Sequence, residues 1–318
     1  MSAATEKIGI RAIRVTHSIL DTVVLLAIML LITIGSYAIW DSNQVFSAAS
    51  ATRYEVYKPT AENAGKSFGE LQALNPDVIA WLTVYGTHID YPVTQGLNNI
   101  KYVNTNAEGK YSLSGSIFLD AGCARDFSDF SSILYGHHME KQAMFGELGK
   151  FSERSYFSEH PYGMLYYDGE EHGLEFFAFV HADAYNTRVF RTRITGESDK
   201  QNYLNLLLGM AIHTRDIGVT TSDRIILLST CSSASTNGRD ILVGRITSKL
   251  YDDPFKPSVT DRAPGKTQSV DHDMGLWEST PLWARIIIIA LPILLLIVLG
   301  SLLIRKKRRS HHRAARRD

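Results

Sequence analysis

Cysteine is scarce in this chain: 318 residues contain only Cys123 and Cys231. Two thiols cannot build a disulfide framework. A bridge between them would consume the only candidate nucleophile, so both are expected to be free. Metal-binding patterns are also missing. No His-Glu-x-x-His or Cys-x-x-Cys spacing occurs, so neither a metal nor any other cofactor is expected. No internal repeat is evident, which argues against a solenoid or propeller. Net charge is absent too, at +0 for the whole chain. That zero conceals a split that the membrane-like segments explain.

Charge is missing from two long stretches. Ile19–Trp40 runs for 22 residues with Asp21 as its only acid, and Ile286–Ile304 runs for 19 with no charge at all. Each is long enough to cross about 30 Å of hydrocarbon at about 1.5 Å per residue. Lys7, Arg11 and Arg14 precede the first run, and Arg305, Lys306, Lys307, Arg308 and Arg309 follow the second. Both ends therefore read as cytoplasmic. Beside a spanning helix, a basic tail reads as a topology signal facing lipid. Residues 41–282 would then lie outside the cell. They carry 21 Lys and Arg against 30 Asp and Glu, an acidic balance that excludes nucleic acid as a partner. Ala49-Ser50-Ala51 loosely resembles a signal-cleavage site. The apolar run before it exceeds the about 7–15 residues of a signal core, so an uncut anchor is expected.

The segments divide the chain as follows: 1–18 cytoplasmic, 19–40 transmembrane, 41–74 an extracellular helical segment, 75–249 the main folded domain, 250–282 a Pro- and Asp-containing linker, 283–304 transmembrane and 305–318 a basic cytoplasmic tail. Within 75–249, short apolar runs alternate with turn residues. Strands are expected at Val78–Val84, His88–Val93, Gly115–Asp120, Phe130–Gly136, Met164–Asp168, Leu174–Ala184, Arg224–Cys231 and Arg239–Ile246. A hairpin turn is expected at Asp168-Gly169. Short helices are expected at Met144–Phe151 and at Ser198–Thr214, whose Leu204, Leu207, Met210 and Ala211 share one face. The fold class is mostly β. A closed barrel with peripheral helices is the economical architecture, because closure removes exposed strand edges.

The chemistry concentrates at Arg224–Cys231. This apolar strand ends on a thiol and is followed by a polar loop and a returning strand from Arg239. With the loop centred on Ser235, Cys231 and Arg239 face each other across a hairpin, with Cβ atoms about 4.5–5.5 Å apart. A strand-end cysteine is most often a small buried hydrophobe. Here it ends in Ser-Thr company beside a guanidinium, which favours a thiolate or holds a developing oxyanion. His137, at the end of the Phe130–Gly136 strand, would supply an acid/base group. The bland reading of His137 and His138 is a pair of surface loop histidines. Arg245 lies on the same strand face as Arg239 and reads as a solvated charge, and Cys123 as a bystander.

Several segments together resemble the sortases of class B. They are Asn75–Leu82, Ile89–Val93, Gly115–Asp120, Ile133–Met139, Leu228-Ser229-Thr230-Cys231 and Gly238–Val243, in family order across roughly 70–248. The resemblance implies an eight-stranded barrel and a cysteine transpeptidase on the outer face of Gram-positive membranes. Its catalytic residues would be His137, Cys231 and Arg239. Ser229, Thr230 and Asn99 would line the substrate groove. The partners implied are secreted proteins with a sorting signal, the membrane, and an acceptor amine from a peptidoglycan precursor or a pilin lysine. The chain departs from the pattern in two ways. Leu227 replaces the leading Thr of the cysteine signature. A carboxy-terminal anchor is typical of class C pilin polymerases, yet residues 41–75 lack their Asp-Pro-aromatic lid motif, and Asp253-Pro254-Phe255 follows the barrel. The alternatives are an inactive membrane-anchored wall-binding or scaffold protein, and a hydrolytic cysteine peptidase.

Overall fold

The computed structural model describes residues 3–60, 65–231 and 237–256. The chain divides into two compact units, one holding the amino-terminal helix to Gln44 and the other beginning at Val45. Helix α1 spans Ala3–Ala49. Within it, Ile13–Asn43 forms one apolar stretch of 31 residues, about 46 Å at the α-helical rise. That exceeds the hydrocarbon thickness of a bilayer. The expected second span, 283–304, lies outside the described residues, as does most of the expected linker.

The second unit is built on nine strands: β1 Val78–Val84, β2 Asp90–Thr94, β3 Ile117–Leu119, β4 Ser131–Tyr135, β5 Tyr162–Tyr167, β6 Glu170–Asp183, β7 Ala211–Thr214, β8 Arg224–Cys231 and β9 Gly238–Thr247. Their order is β5-β1-β2-β3-β4-β8-β9-β6-β7, and a β5–β6 pairing closes the first eight into a barrel. The first part of β6 pairs with β5 and its later part with β7, while β9 runs along its other edge. Asp168 and Gly169 turn the β5–β6 hairpin with both φ angles positive, at 51° and 83°, as a two-residue hairpin loop requires. The helices are α2 Lys66–Leu74, α3 Arg154–Glu159 and α4 Glu197–Met210.

Side chains alternate across the barrel wall, and around the site both faces are apolar. Leu134, Ile226, Leu228 and Leu242 belong to the interior cluster. Ile133, Ile225, Leu227, Ile241 and Val243 belong to an outer cluster. A register shift between Phe176 and Ala178 changes the phase of β6. Phe176 and Phe179 thus point in, while Phe177, Ala178 and Val180 point out. The segment between β6 and β8 covers the outer face with Val189, Ile194, Tyr203, Leu204 and Leu207. At about 25 cal/mol per Å² of apolar surface removed from water, this second core fixes α4 on the wall.

Three expectations change. The helix expected over 198–214 stops at Met210, and Ala211–Thr214 pairs with β6 instead. The later edge of β6 offers backbone groups that need partners, and Gly209 weakens the helix just before the switch. The helix expected over 144–151 is replaced by a 3₁₀ turn at Leu148–Ser152 followed by α3. Met144 has φ 54°, outside the helical region, and Gly146 packs so closely on the Met139 carbonyl that a Cβ there would overlap it, so the chain here follows a tight non-helical path. The start of the expected linker packs on the barrel. Tyr251 stacks on Tyr162 at 4.0 Å, and Phe255 on His160 at 4.8 Å.

Candidate active site

Strands β4 and β8 run parallel, with Ser131 opposite Ile225 and Tyr135 opposite Ser229. Both therefore end at the same rim. Continuing the register by two residues sets His137 beside Cys231. On the other side, β8 and β9 are antiparallel and Cys231 pairs with Arg239. One row across three neighbouring strands thus holds His137, Cys231 and Arg239. By the alternation described above, this row lies on the outer face of the wall. It also lies beyond the cover supplied by α4, so the face opens to solvent there.

The opening is a groove of about 300 Å³ lined by Asn99, Val103, Phe118, Tyr135, Gly136, His137, Ser229, Thr230, Cys231 and Arg239. Arg239 Nη1 donates to Cys231 Sγ at 2.9 Å. The sulfur is exposed and carries a permanent cation as its partner, the setting in which a thiol becomes a nucleophile. Cys123 is the opposite case. It is buried, its Sγ lies 3.7 Å from the Ser131 carbonyl, and burial pushes its pKa up to about 12. Both cysteines are free.

His137 Nε2 lies 2.9 Å from the Val103 carbonyl oxygen. A carbonyl only accepts, so Nε2 carries a proton and Nδ1 is the ring nitrogen able to exchange one. The Val103 carbonyl belongs to a 3₁₀ turn, Lys101–Val103, anchored by the buried Tyr102. The Tyr102 hydroxyl donates to Asp77 at 2.8 Å and accepts from Asn75 at 3.0 Å. Burial is the largest influence on the Tyr102 hydroxyl and raises its pKa. His138 is exposed, forms an isolated bridge with Met144 and does not line the groove.

The three residues expected to line the groove differ in character. Ser229 is buried, and its Oγ has no partner among the described residues. Thr230 occupies an inward position of β8, paired with Asp240, so its backbone is the part nearer the groove. Asn99 is exposed, and its carboxamide is held by Asp120 and by the Ala121 N–H. Arg245 corrects an expectation. It pairs with Glu175 at 2.6 Å and approaches Asp223 at 3.8 Å. Its exposure is 22%, so it is a partly enclosed ion pair and not a solvated charge. Val103, Phe118, Tyr135 and Gly136 were not foreseen as lining residues. Groove membership depends on which strands are neighbours; Phe118, Tyr135 and Gly136 lie in segments that carried the family resemblance, and Val103 carried no signal.

No family model matches the chain. Sortase B of Listeria monocytogenes is 32% identical over 183 residues, 57% of this chain and 74% of that protein. The crystal structure of sortase B from the type II pilus of Streptococcus pneumoniae is 46% identical, covering 57% of this chain and 99% of that one, with a TM-score of 0.51. A Streptococcus pyogenes class B sortase involved in pilus biogenesis is 40% identical over 56% of this chain and 97% of its own, with a TM-score of 0.52. On this evidence the chain belongs to the class B sortases, a family of cysteine transpeptidases.

Proposed function

We propose that the protein is a membrane-anchored transpeptidase that joins secreted proteins to an amine on the cell surface. In this reading Cys231 Sγ attacks the backbone carbonyl after the Thr of a five-residue sorting signal. Arg239 holds the developing oxyanion. His137, protonated at Nδ1, gives its proton to the leaving amine as the C–N bond breaks, and a thioester remains on Cys231. An acceptor amine then attacks the thioester, its proton passes to His137, and the sulfur departs. Ser229, Asn99 and the backbone at Thr230 hold the peptide. The observation that carries this reading is the 2.9 Å contact from Arg239 to Cys231 in the groove that also contains His137.

Both apolar runs would span the membrane and place the barrel outside the cell. Anchoring confines enzyme, substrate and acceptor to one surface and raises their effective concentration. The acceptor is a peptidoglycan precursor or a pilin lysine. The two pilus-associated relatives, together with the carboxy-terminal apolar run, favour the pilin. The full chain in detergent micelles tests the reading against a quenched pentapeptide library with Thr fixed at each position in turn, with and without an added amine. Cleavage with amine incorporation is expected from the native enzyme. The Cys231→Ala and His137→Ala variants should lose it, and Arg239→Lys should retain little, because an ammonium lacks the planar fork of a guanidinium. Activity of Cys231→Ala equal to the native enzyme would end this reading. Products unchanged by the amine would make the protein a hydrolase.

A further inference from the structure

Asp120 lies just outside the groove and reaches two of its lining residues. It is 8% exposed. Its Oδ2 accepts from Asn99 Nδ2 at 2.8 Å and from the Tyr135 hydroxyl at 3.0 Å. Its Oδ1 accepts from the Gly122 N–H at 2.7 Å. The neighbouring Ala121 N–H donates to Asn99 Oδ1 at 2.7 Å. The turn itself is pinned by Gln95, whose Nε2 donates to the Asp120 carbonyl at 3.0 Å and to the Cys123 carbonyl at 2.8 Å. Burial is the largest influence on the Tyr135 hydroxyl, and with the adjacent Asp120 carboxylate it pushes the pKa far up. Tyr135 therefore stays a neutral donor.

We infer that Asp120 is a positioning residue that fixes Asn99 as a hydrogen-bond donor to a carbonyl of the bound sorting peptide. A carboxylate cannot donate, so it must face the NH₂ side of Asn99. A backbone N–H cannot accept, so it must face the oxygen side. Together they leave the carboxamide one orientation, with its second N–H available to the groove. A free asparagine would present oxygen or nitrogen equally well and would lose rotamer freedom on binding. A fixed one is preorganised for an acceptor, and the peptide backbone offers carbonyls. This inference rests on the transpeptidase reading above and adds the side chain that sets the polarity of one groove wall.

The test compares Asp120→Ala, Asn99→Ala and the double variant in the full chain. The library member that the native enzyme cleaves fastest serves as substrate. Asp120→Ala removes the acceptor that faces the Asn99 NH₂, so the carboxamide keeps only its contact with the Ala121 N–H and its second N–H is no longer directed. Loss of one directed hydrogen bond to the peptide should raise KM about tenfold with kcat within about twofold. Asn99→Ala should raise KM by a similar factor, and the double variant no further than either single one, because both remove the same contact. A native KM in Asp120→Ala would overturn the inference, as would a double variant whose rise in KM is the product of the two single rises. The side-chain amide NMR signal of Asn99 gives an independent reading: it should shift in Asp120→Ala, and an unmoved signal would also overturn the inference. If the native enzyme cleaved no library member, the transpeptidase reading would fail while this signal still decided the role of Asp120.

Discussion

Replacing Gly136 by alanine probes how the histidine is placed. Gly136 joins the last residue of β4 to His137, and its N–H donates to the Ser229 carbonyl at 3.2 Å. Its φ is not among the positive ones, so the backbone conformation permits alanine and the effect is one of space. A Cβ there would stand 2.5 Å from Ile117 Cδ1 and 2.7 Å from Phe145 Cδ2. Ile117 and Phe145 are 1% and 0% exposed. The Ile117 tip can turn, but the enclosed Phe145 ring has little room. Overpacking of this kind costs about 1–3 kcal/mol. Burying the new methyl returns about 0.8 kcal/mol, and restricting the unfolded chain about 0.4–1 kcal/mol. The net effect then runs from near zero to a loss of about 2 kcal/mol, or up to about 4–8 °C in Tm for a domain of this size.

Activity should fall even where stability does not. The strand end must move to admit the methyl, and His137 is the next residue. A misplacement of about 1 Å can reduce the rate about 10²-fold, so kcat/KM should drop at least about tenfold. Gly244→Ala is the control. Its Cβ would stand 2.9 Å from Phe176 Cδ1, in β9 about 16 Å of strand from Arg239. It should lower Tm by a similar amount and leave kcat/KM nearly native. Adding Ile117→Val to Gly136→Ala removes the nearest clashing atom and should recover part of the loss. Peptide cleavage assays and thermal melts on these three variants and the native enzyme suffice. A Gly136→Ala enzyme with native kcat/KM would refute the placement of His137, and so would a Gly244→Ala enzyme equally impaired in kcat/KM.

Two further outcomes follow from the thiols and from a buried carboxylate. With its pKa near 12, Cys123 is thiolate to roughly three parts in 10⁵ at pH 7.5. Iodoacetamide should therefore modify the exposed, guanidinium-paired Cys231 at least about 10³ times faster, as peptide mass mapping will show; equal labelling would contradict the burial of Cys123. Burial pushes the Glu147 carboxyl up, but the His88 N–H, Lys150 and the His88 ring outweigh it and hold the pKa below the ordinary 4.5. A lowered carboxylate adds stability above its unfolded value and loses it as pH falls through the folded value. The native Tm should thus be highest relative to Glu147→Gln above about pH 4.5 and converge with it in stronger acid. Parallel curves down to pH 3 would remove Glu147 from the acid limb.

Local chain signals fixed a good part of this molecule. The apolar strand ending on Cys231, the polar loop and the return at Arg239 determined their pairing, because a hairpin's symmetry is written in the sequence between its arms. Asp168-Gly169 fixed a second hairpin for the same reason. The apolar stretch now seen within α1 was visible from length alone. The helix ending at Met210 was harder. Ala211–Thr214 is a strand because β6 has backbone groups to satisfy, and no window of sequence around 211 contains β6. Arg245 was misread because Glu175 and Asp223, its partners, are 70 and 22 positions away.

Residue types and order determined that a thiol, an imidazole and a guanidinium would be available, and that two of them would meet. Tertiary structure alone decided the third. His137 reaches the others because β4 and β8, 94 positions apart in register, run parallel and end at one rim. It also decided that the row opens outward past the cover of α4, and that Asp120 holds Asn99 in one orientation. Pairing within a hairpin is short-range and encoded locally. Which distant strands become neighbours is settled by burying both faces of the wall at once, a property of the whole barrel that no single segment contains.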